Sequence, residues 1–207
     1  MGNLSALVAA REKARGDGGG QPVAWRMVAT ADSHSSVRAA AKVMDCGILD
    51  VPGDAQGRMT GEALAAVLAS DGGDGVFAVV ASSGTTNAGV VDDLAGIAAV
   101  CREQGIWLHV DGAYGGAALA APSVADRFVG IEHADSFVVD PHKWLFAPFD
   151  CCALLYREPE HGANAHSQFA SYLESVDRSE WNPADFAVHL TRRARGLPFW
   201  FSLATYG

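Results

Sequence analysis

An acid and an amine in this sequence have the chemistry and the surroundings to serve one reaction. Asp111 lies in the segment HVDGAY (residues 109–114), and Lys143 lies in the segment DPHKW (residues 140–144). A carboxylate can keep a pyridine nitrogen protonated, and an amine can form a Schiff base with an aldehyde. These two groups are the minimum that catalysis with pyridoxal 5′-phosphate (PLP) requires. We therefore expect them on opposite sides of one cofactor-sized gap.

Short apolar runs alternate with helical patterns along the chain. The runs predict strands at residues 25–30, 48–51, 76–81, 106–110, 136–139 and 153–156. Helical spacing of apolar residues predicts helices at residues 1–15 and 35–44, a third that begins at Thr60 and a fourth that ends at Gly105. This alternation predicts an α/β fold with a mostly parallel sheet and helices on both of its faces.

The predicted strand ends bring polar segments to one place. Gly84, Thr85 and Thr86 follow one predicted strand. Asp111 follows the next strand, and Lys143 follows the one after that. Ligands of parallel sheets bind outside the carboxyl ends of the strands. The sequence therefore predicts a single ligand site at this edge of the sheet.

The composition favours a small-molecule ligand. The chain has 207 residues, of which 49% are hydrophobic, and a formal net charge of −9. A chain of this length can bury a sizeable core. The acidic charge leaves no basic stripe that could follow the phosphates of a nucleic acid, so no nucleic-acid partner is predicted.

The cysteines and the first residues indicate the compartment. Four cysteines, at positions 46, 101, 151 and 152, form no Cys-x-x-Cys pair and no cluster with histidine at metal-ligand spacing. We predict reduced thiols in a cytoplasmic protein without a metal site. The first residues lack the pattern of a signal peptide, and no segment is long enough to cross a bilayer, so no membrane partner is predicted.

Five short segments then follow one another in a fixed order. They are SHSS (residues 33–36), GTT (84–86), HVDGAY (109–114), ADSF (134–137) and DPHKW (140–144). Together they resemble the signature of the group II PLP-dependent amino acid decarboxylases, which include aromatic-amino-acid, glutamate, histidine and diaminobutyrate decarboxylases. The resemblance implies the aspartate aminotransferase-like fold (fold type I), with this chain as part of the PLP-binding large domain, truncated at both ends.

The resemblance implies a role for each matching residue. Lys143 would form the Schiff base with PLP, Asp111 would pair with the pyridine nitrogen, and His34 would stack on the ring; these three are the predicted catalytic residues. Ala113 would let the ring lie close on its other side, and Thr85 would approach the ring hydroxyl and the substrate carboxylate. Outside such a context, Asp111 and His34 are typical of helix ends, Lys143 of a surface and Thr85 of a turn.

Three further residues are implied to contact the cofactor. His142 would help to hold the phosphate or the substrate, and Ser136 and Asp140 lie on the same approach. Trp107 and Trp144 stand beside predicted strands, where aromatic residues usually pack, and we expect both in the core.

The resemblance also divides the chain. Residues 1–157 correspond to the central part of the PLP-binding large domain, and residues 2–7 resemble the tail of its phosphate-binding loop. Residues 158–187 correspond to a mobile loop, and residues 188–207 to the helical start of a connection to a small C-terminal domain. Loops of this family commonly carry a tyrosine that reprotonates the substrate carbon; here the tyrosine is Tyr172, which matches the start of the loop. Family members are homodimers, and we expect the same of the full-length form.

The predicted function is PLP-dependent decarboxylation of an L-amino acid to the amine and CO₂ through a Lys143 Schiff base. One alternative is another fold type I enzyme, such as an aldehyde synthase, an aminotransferase or a lyase. A second is an inactive truncated fragment. Loss of the proton-donating tyrosine would favour oxidation to an aldehyde, whereas His34 favours plain decarboxylation. The predicted partner is a small-molecule amino acid, whose side chain the sequence leaves open.

Overall fold

The strands that the apolar runs predict assemble into one sheet. The computed structural model describes residues 1–17, 22–168 and 182–207. In these ranges a six-stranded sheet has the order β2-β1-β3-β4-β5-β6. The first five strands run parallel, and β6 runs antiparallel to β5. The strands are β1 (Arg26–Ala29), β2 (Gly47–Asp50), β3 (Val76–Ser82), β4 (Trp107–Asp111), β5 (Ser136–Val139) and β6 (Ala153–Tyr156).

Helices cover both faces of this sheet, which confirms the predicted fold class. In the described ranges the α-helices are α1 (Gly2–Gly16), α2 (Ser35–Val43), α3 (Gly61–Asp71), α4 (Leu94–Gln104), α5 (Pro159–His166) and α6 (Gly196–Tyr206). Short 3₁₀ helices at Gly115–Ala120, Pro122–Phe128, Ile131–His133 and Pro183–Phe186 lie between them.

The position of β3 in the middle of the sheet explains why its sequence is almost continuously apolar. Val79 and Ala81 belong to a core cluster that also contains residues of α3 and α4. Ala78 and Val80 belong to a second cluster, which contains residues of α1 and α2. Successive side chains of a strand point to opposite faces, so a strand that is covered on both faces needs apolar residues at every position.

Local signals in the sequence set the helix ends. The Thr60 hydroxyl accepts a hydrogen bond from the backbone N–H of Ala63 at 3.1 Å, which caps α3 as predicted. Asp93 caps α4 in the same way through the N–H of Gly96 at 3.0 Å. Gly105 ends α4 in the left-handed conformation, with a φ of 66°. These caps fix where the chain leaves each helix and enters the next strand.

The region that was predicted to be a mobile loop contains a helix. α5 occupies Pro159–His166, where the polar sequence shows no strong periodicity. It is held against α1, since the His166 Nε2 atom lies 2.9 Å from the Ser5 carbonyl oxygen. The polar sequence did not predict a helix at these eight residues, because the helix is stabilised by packing rather than by an apolar stripe. Tyr172 lies outside the described residues.

The last helix differs from the others. α6 lies within the predicted helical connection at residues 188–207 and buries none of its residues. Trp200 and Phe201 are both exposed on it. Across the described ranges, no helix is both long enough and apolar enough to cross a membrane.

Candidate active site

The carboxyl ends of β3, β4 and β5 meet at a cleft. Its walls contain five of the residues predicted for the site together with four neighbours. They are His34, Thr85, Asp111, Ala113 and Lys143, and Ser82, Gly84, Thr86 and Tyr114. The topology explains the convergence, because the carboxyl ends of neighbouring parallel strands share one edge of the sheet.

Asp111 forms the buried side of the cleft. It is the last residue of β4, a strand in which every residue is buried, and only 7% of it is exposed. Its Oδ1 atom accepts a hydrogen bond from the N–H of Ala113 at 3.0 Å. Its Oδ2 atom accepts one from the Asn3 amide nitrogen at 2.8 Å. The carboxylate is therefore held on both oxygens before any ligand binds.

Lys143 forms the open side. It lies in the segment after β5, in a turn closed by its own N–H and the Asp140 carbonyl oxygen at 2.9 Å. The Lys143 Nζ atom lies 2.9 Å from Asp140 Oδ2, and about a third of the lysine side chain (34%) is exposed. The N–H of Asp140 donates to the Ala113 carbonyl oxygen at 3.1 Å, which joins this segment to the one after β4.

His34 reaches the cleft from the beginning of α2. Its Nδ1 atom accepts a hydrogen bond from the N–H of Ser36 at 3.2 Å, so His34 caps the helix. The same Nδ1 atom lies 2.8 Å from the Ser36 hydroxyl oxygen. His34 therefore caps α2 and lines the cleft as well, because capping fixes the ring at the edge of the cleft.

Thr85 is carried by a tight loop after β3. A Cβ atom on Gly84 would lie 2.5 Å from the Gly115 Cα atom, and the φ of Gly84 is +107°. Only glycine allows the two backbones to approach so closely. The Thr85 hydroxyl accepts a hydrogen bond from the N–H of Val90 at 3.1 Å, which closes the loop.

A buried acid that sequence reasoning missed anchors the same loop. Asp92 is 5% exposed. It accepts hydrogen bonds from the N–H of Ser82 at 2.6 Å and from the N–H of Met59 at 2.7 Å. Burial raises the pKa of Asp92 to about 6, although these two hydrogen bonds lower it. Asp92 thus ties the end of β3 to the segment before α3.

Three residues predicted to contact the cofactor do not line the cleft. Ser136 is 1% exposed and lies 2.8 Å from both Trp107 Nε1 and His109 Nδ1. His142 accepts a hydrogen bond from the N–H of Cys151 at 3.1 Å. Asp140 contacts Lys143 as described above. Asp140 therefore supports the cleft wall through Lys143, whereas Ser136 and His142 contact residues outside the lining.

The aromatic residues near the cleft separate into two groups. Trp107 is 4% exposed, as predicted for the core. The prediction is wrong for Trp144, which is 48% exposed. Its ring stacks on Tyr114, with centroids 5.6 Å apart and planes 9° from parallel. Trp144 thus forms an exposed aromatic pair with Tyr114 instead of packing in the core.

Larger clefts lie elsewhere and lack this chemistry. One is lined by Lys13, Asp135 and Arg157, among others. Another lies beside Asp92 and Arg127. Neither contains a lysine and an aspartate at strand ends that face a common space. The smaller cleft is therefore the candidate active site.

A parallel α/β sheet with a lysine and an aspartate at its carboxyl edge is the arrangement of PLP-dependent enzymes of fold type I. The conserved domain of the pyridoxal-dependent decarboxylases matches residues 2–207, so the chain belongs to this family. An aromatic-L-amino-acid decarboxylase of Drosophila lebanonensis is 36% identical over 86% of this chain and 45% of its own length.

Solved structures agree with this assignment. The structure of Oryza sativa TDC with PLP and tryptamine has a TM-score of 0.90 and 29% identity, and it covers 100% of this chain and 45% of the other. A 4-hydroxyphenylacetaldehyde synthase of Rhodiola rosea has a TM-score of 0.86 and 30% identity, and it covers 99% of this chain and 44% of the other. The chain thus spans less than half the length of these relatives.

The residues of the cleft fit PLP, the group that the family name implies. An amine and a carboxylate stand on its walls, and the side chain beside them, Ala113, is small. The N-terminus of α1 lies at the same edge of the sheet, where a Cβ atom on Gly2 would be 2.5 Å from Val138 Cγ2 and 2.8 Å from Cys152 Sγ. The free N–H groups at the start of a helix are suited to a phosphate.

Proposed function

We propose that the protein containing this chain is a PLP-dependent decarboxylase of L-amino acids. What supports the proposal above all is the meeting of Lys143 and Asp111 in one cleft of a chain that belongs to the decarboxylase family. Bound PLP would supply an aldehyde for an amine and a ring that accepts the electrons released when CO₂ leaves.

The residues of this chain would share the work as follows. Lys143 would provide the amine after leaving Asp140, its partner at 2.9 Å. Asp111 would accept a hydrogen bond from the ring N–H and so keep the ring nitrogen protonated. His34 would pack over one ring face, and Ala113 would leave room at the other. Thr85 would reach the ring hydroxyl from the loop that Gly84 allows.

We propose an aromatic amino acid as the substrate. The stacked rings of Tyr114 and Trp144 stand beside Lys143, and offset or stacked aromatic contacts favour an aromatic side chain. The relatives reported above include an aromatic-L-amino-acid decarboxylase and a structure that contains tryptamine. The expected result is amine release from aromatic amino acids in preference to glutamate, with a higher KM for them in a Trp144→Ala variant.

The first experiment is an absorbance spectrum of the chain after incubation with PLP and dialysis. A retained visible band in the parent that is absent from Lys143→Ala would support a Schiff base at this lysine. Lys42, an exposed lysine in the last turn of α2, provides the matched control, and Lys42→Ala should keep the band. A band that survives in Lys143→Ala would overturn the assignment.

An aldehyde synthase is the second candidate, because one of the similar solved structures is an enzyme of that kind. Product analysis separates the two. CO₂ with an equal amount of amine would identify decarboxylation, whereas CO₂ with aldehyde and ammonia, together with reduction of O₂ to H₂O₂, would identify the synthase. Retention of His34 at the cleft favours plain decarboxylation.

We further propose that the full-length protein is a cytoplasmic homodimer. The exposed apolar side chains of α6, among them Trp200 and Phe201, would be covered in such an assembly or by a further part of the protein. The alternative, an inactive fragment, predicts no retained PLP and no amine release from this chain. Light scattering of the purified chain and of a full-length form distinguishes these cases.

A further inference from the structure

A chain of hydrogen bonds runs through the core to Asp111. Trp107 Nε1 and Ser136 Oγ are 2.8 Å apart, and Ser136 Oγ and His109 Nδ1 are also 2.8 Å apart. His109 Nε2 lies 2.9 Å from Asn3 Oδ1, and Asn3 Nδ2 lies 2.8 Å from Asp111 Oδ2. This series of hydrogen bonds thus connects two strands, β4 and β5, and the helix α1 to the Asp111 carboxylate.

The two ends of this chain fix the direction of every hydrogen bond in it. The indole N–H of Trp107 can only donate, and the carboxylate of Asp111 can only accept. Asn3 therefore directs its amide N–H to Asp111, which leaves its carbonyl oxygen for His109. That oxygen accepts, so the proton of His109 must be on Nε2.

The remaining bond follows from the same reasoning. A neutral imidazole with its proton on Nε2 has a free acceptor at Nδ1, to which the Ser136 hydroxyl donates. Ser136 also accepts the Trp107 N–H, so its hydroxyl is used in both ways. Every donor in the chain consequently points toward Asp111.

His109 is well suited to stay neutral. It is fully buried, and burial lowers the pKa of its imidazole to about 4. A second proton, on Nδ1, would turn the Ser136 hydroxyl away from its acceptor in a place that water does not reach. The tautomer is therefore fixed by the neighbours, as is typical of histidines that orient another group.

A second branch leads from Asn3 to His34. The other N–H of the Asn3 amide donates to the Ser36 hydroxyl at 2.9 Å. The Ser36 hydroxyl then has its own proton free for His34 Nδ1, which lies 2.8 Å away. The Asn3 amide thus contacts Asp111 directly and His34 through the Ser36 hydroxyl. Asp111 and His34 stand at different sides of the cleft.

We propose that His109 and Asn3 are positioning residues, which hold Asp111 and His34 in one fixed relation to each other through this directional chain of hydrogen bonds. The role in catalysis rests on the proposed function, since it presumes that Asp111 faces the ring nitrogen of PLP. The hydrogen-bond pattern itself does not rest on the proposed function, because all of its donors and acceptors are paired without the cofactor.

The first test therefore uses the cofactor-free chain. The sequence contains seven histidines, so ¹⁵N-histidine labelling gives a small set of two-bond ¹H–¹⁵N correlations. The signal that disappears in His109→Phe belongs to His109. We expect it to show the neutral ring with its proton on Nε2, unchanged from neutral pH down to about pH 5. A proton on Nδ1, or a charged ring at neutral pH, would overturn the proposal.

The second test measures PLP affinity by absorbance titration rather than by activity. Asn3→Leu removes the hydrogen bond to the Asp111 carboxylate, and His109→Phe removes the group that orients the Asn3 amide toward it. Each should weaken PLP binding by about 10- to 100-fold, the range for losing a hydrogen bond to a charged group. His109→Gln can donate to Asn3 and accept from Ser136, so it should recover most of the affinity. Using two variants on different elements guards against one that fails to fold.

Leu108→Ala is the matched control, because Leu108 lies next to His109 in β4 and belongs to the core on the other face of the sheet. It should lower the melting temperature and leave PLP affinity at the parental value. Parental affinity in both chain-breaking variants would overturn the proposal. Failure of the parent to bind PLP would count against the proposed function, and the NMR result would then decide the hydrogen-bond chain alone.

Discussion

The two sides of the candidate site are built in different ways. Asp111 ends a strand whose five residues are all buried, and both of its oxygens accept hydrogen bonds. Lys143 lies in a segment that exposes Phe146 by 80% and Phe149 by 81%, and its only ionic contact in the described ranges is with Asp140. The acid is therefore set by the core, whereas the amine is set by a local turn.

This difference suits the proposed chemistry. A group that stabilises charge works best when it is oriented in advance, because no reorganisation is then needed during the reaction. An amine that forms and breaks a covalent bond must change partners, so a single exposed ion pair is a suitable resting contact. Substitutions at Asp111 should accordingly lower the free energy of unfolding, whereas substitutions at Lys143 should affect the reaction with little change in stability.

The largest expected effect is on the open side. Lys143→Ala should abolish PLP-dependent product formation, because no other amine of the cleft can replace it. The free energy of unfolding should fall by less than about 1 kcal/mol, since the ion pair with Asp140 is partly open to solvent and such pairs contribute little. Product assays and urea unfolding of the same preparation measure both quantities. Residual activity above that of a blank would contradict the role of Lys143, and a large loss of unfolding free energy would contradict the view that only a local turn holds it.

The next effect concerns the loop that carries Thr85. In Gly84→Ala, the new Cβ atom would meet the Gly115 backbone at 2.5 Å. We expect a loss of about 2–4 kcal/mol of unfolding free energy from overpacking and the strained φ. Gly89→Ala is the control, since Gly89 also has a positive φ, of +65°, but nothing lies within 4 Å of the added atom. It should lose only about 1 kcal/mol, and equal losses would show that close approach is irrelevant.

The buried side should also respond to pH through Asp92. Its pKa is raised to about 6 in the folded chain, so the folded state binds a proton more tightly than the unfolded state does. The contribution of Asp92 to the free energy of unfolding should therefore be greatest below about pH 4 and should fall by up to about 3 kcal/mol as the pH rises through about 6.

Asp92→Asn removes this titration. Other acids titrate in the same range in both proteins, so the quantity to compare is the difference between parent and variant in urea unfolding at several pH values. That difference should change between about pH 4 and pH 6 and be constant above it. A difference that is the same at every pH would contradict the raised pKa.

Sequence reasoning found the residues whose position depends on strand ends and missed those that depend on long-range packing. Asp111, Lys143 and Thr85 each follow an apolar run, and parallel strands bring such ends together. Asn3 reaches Asp111 from the first turn of α1, 108 residues earlier in the sequence. No local sequence pattern predicts a contact between residues so far apart in the chain. The helix α5 was missed for a related reason, since its stability comes from packing on α1 rather than from its own sequence.

The smallest effects come from comparing the two acids of the site directly. Asp111→Ala would leave one N–H of the buried Asn3 amide and the partly buried Ala113 N–H without their acceptor, which should cost about 1–3 kcal/mol of unfolding free energy. Asp140→Ala removes the partner of a partly exposed lysine and should cost less than about 1 kcal/mol. Both are measured by urea unfolding without cofactor. Equal losses would mean that the core does not hold Asp111 more firmly than the turn holds Lys143, and the division of the site into a fixed and a movable side would fail.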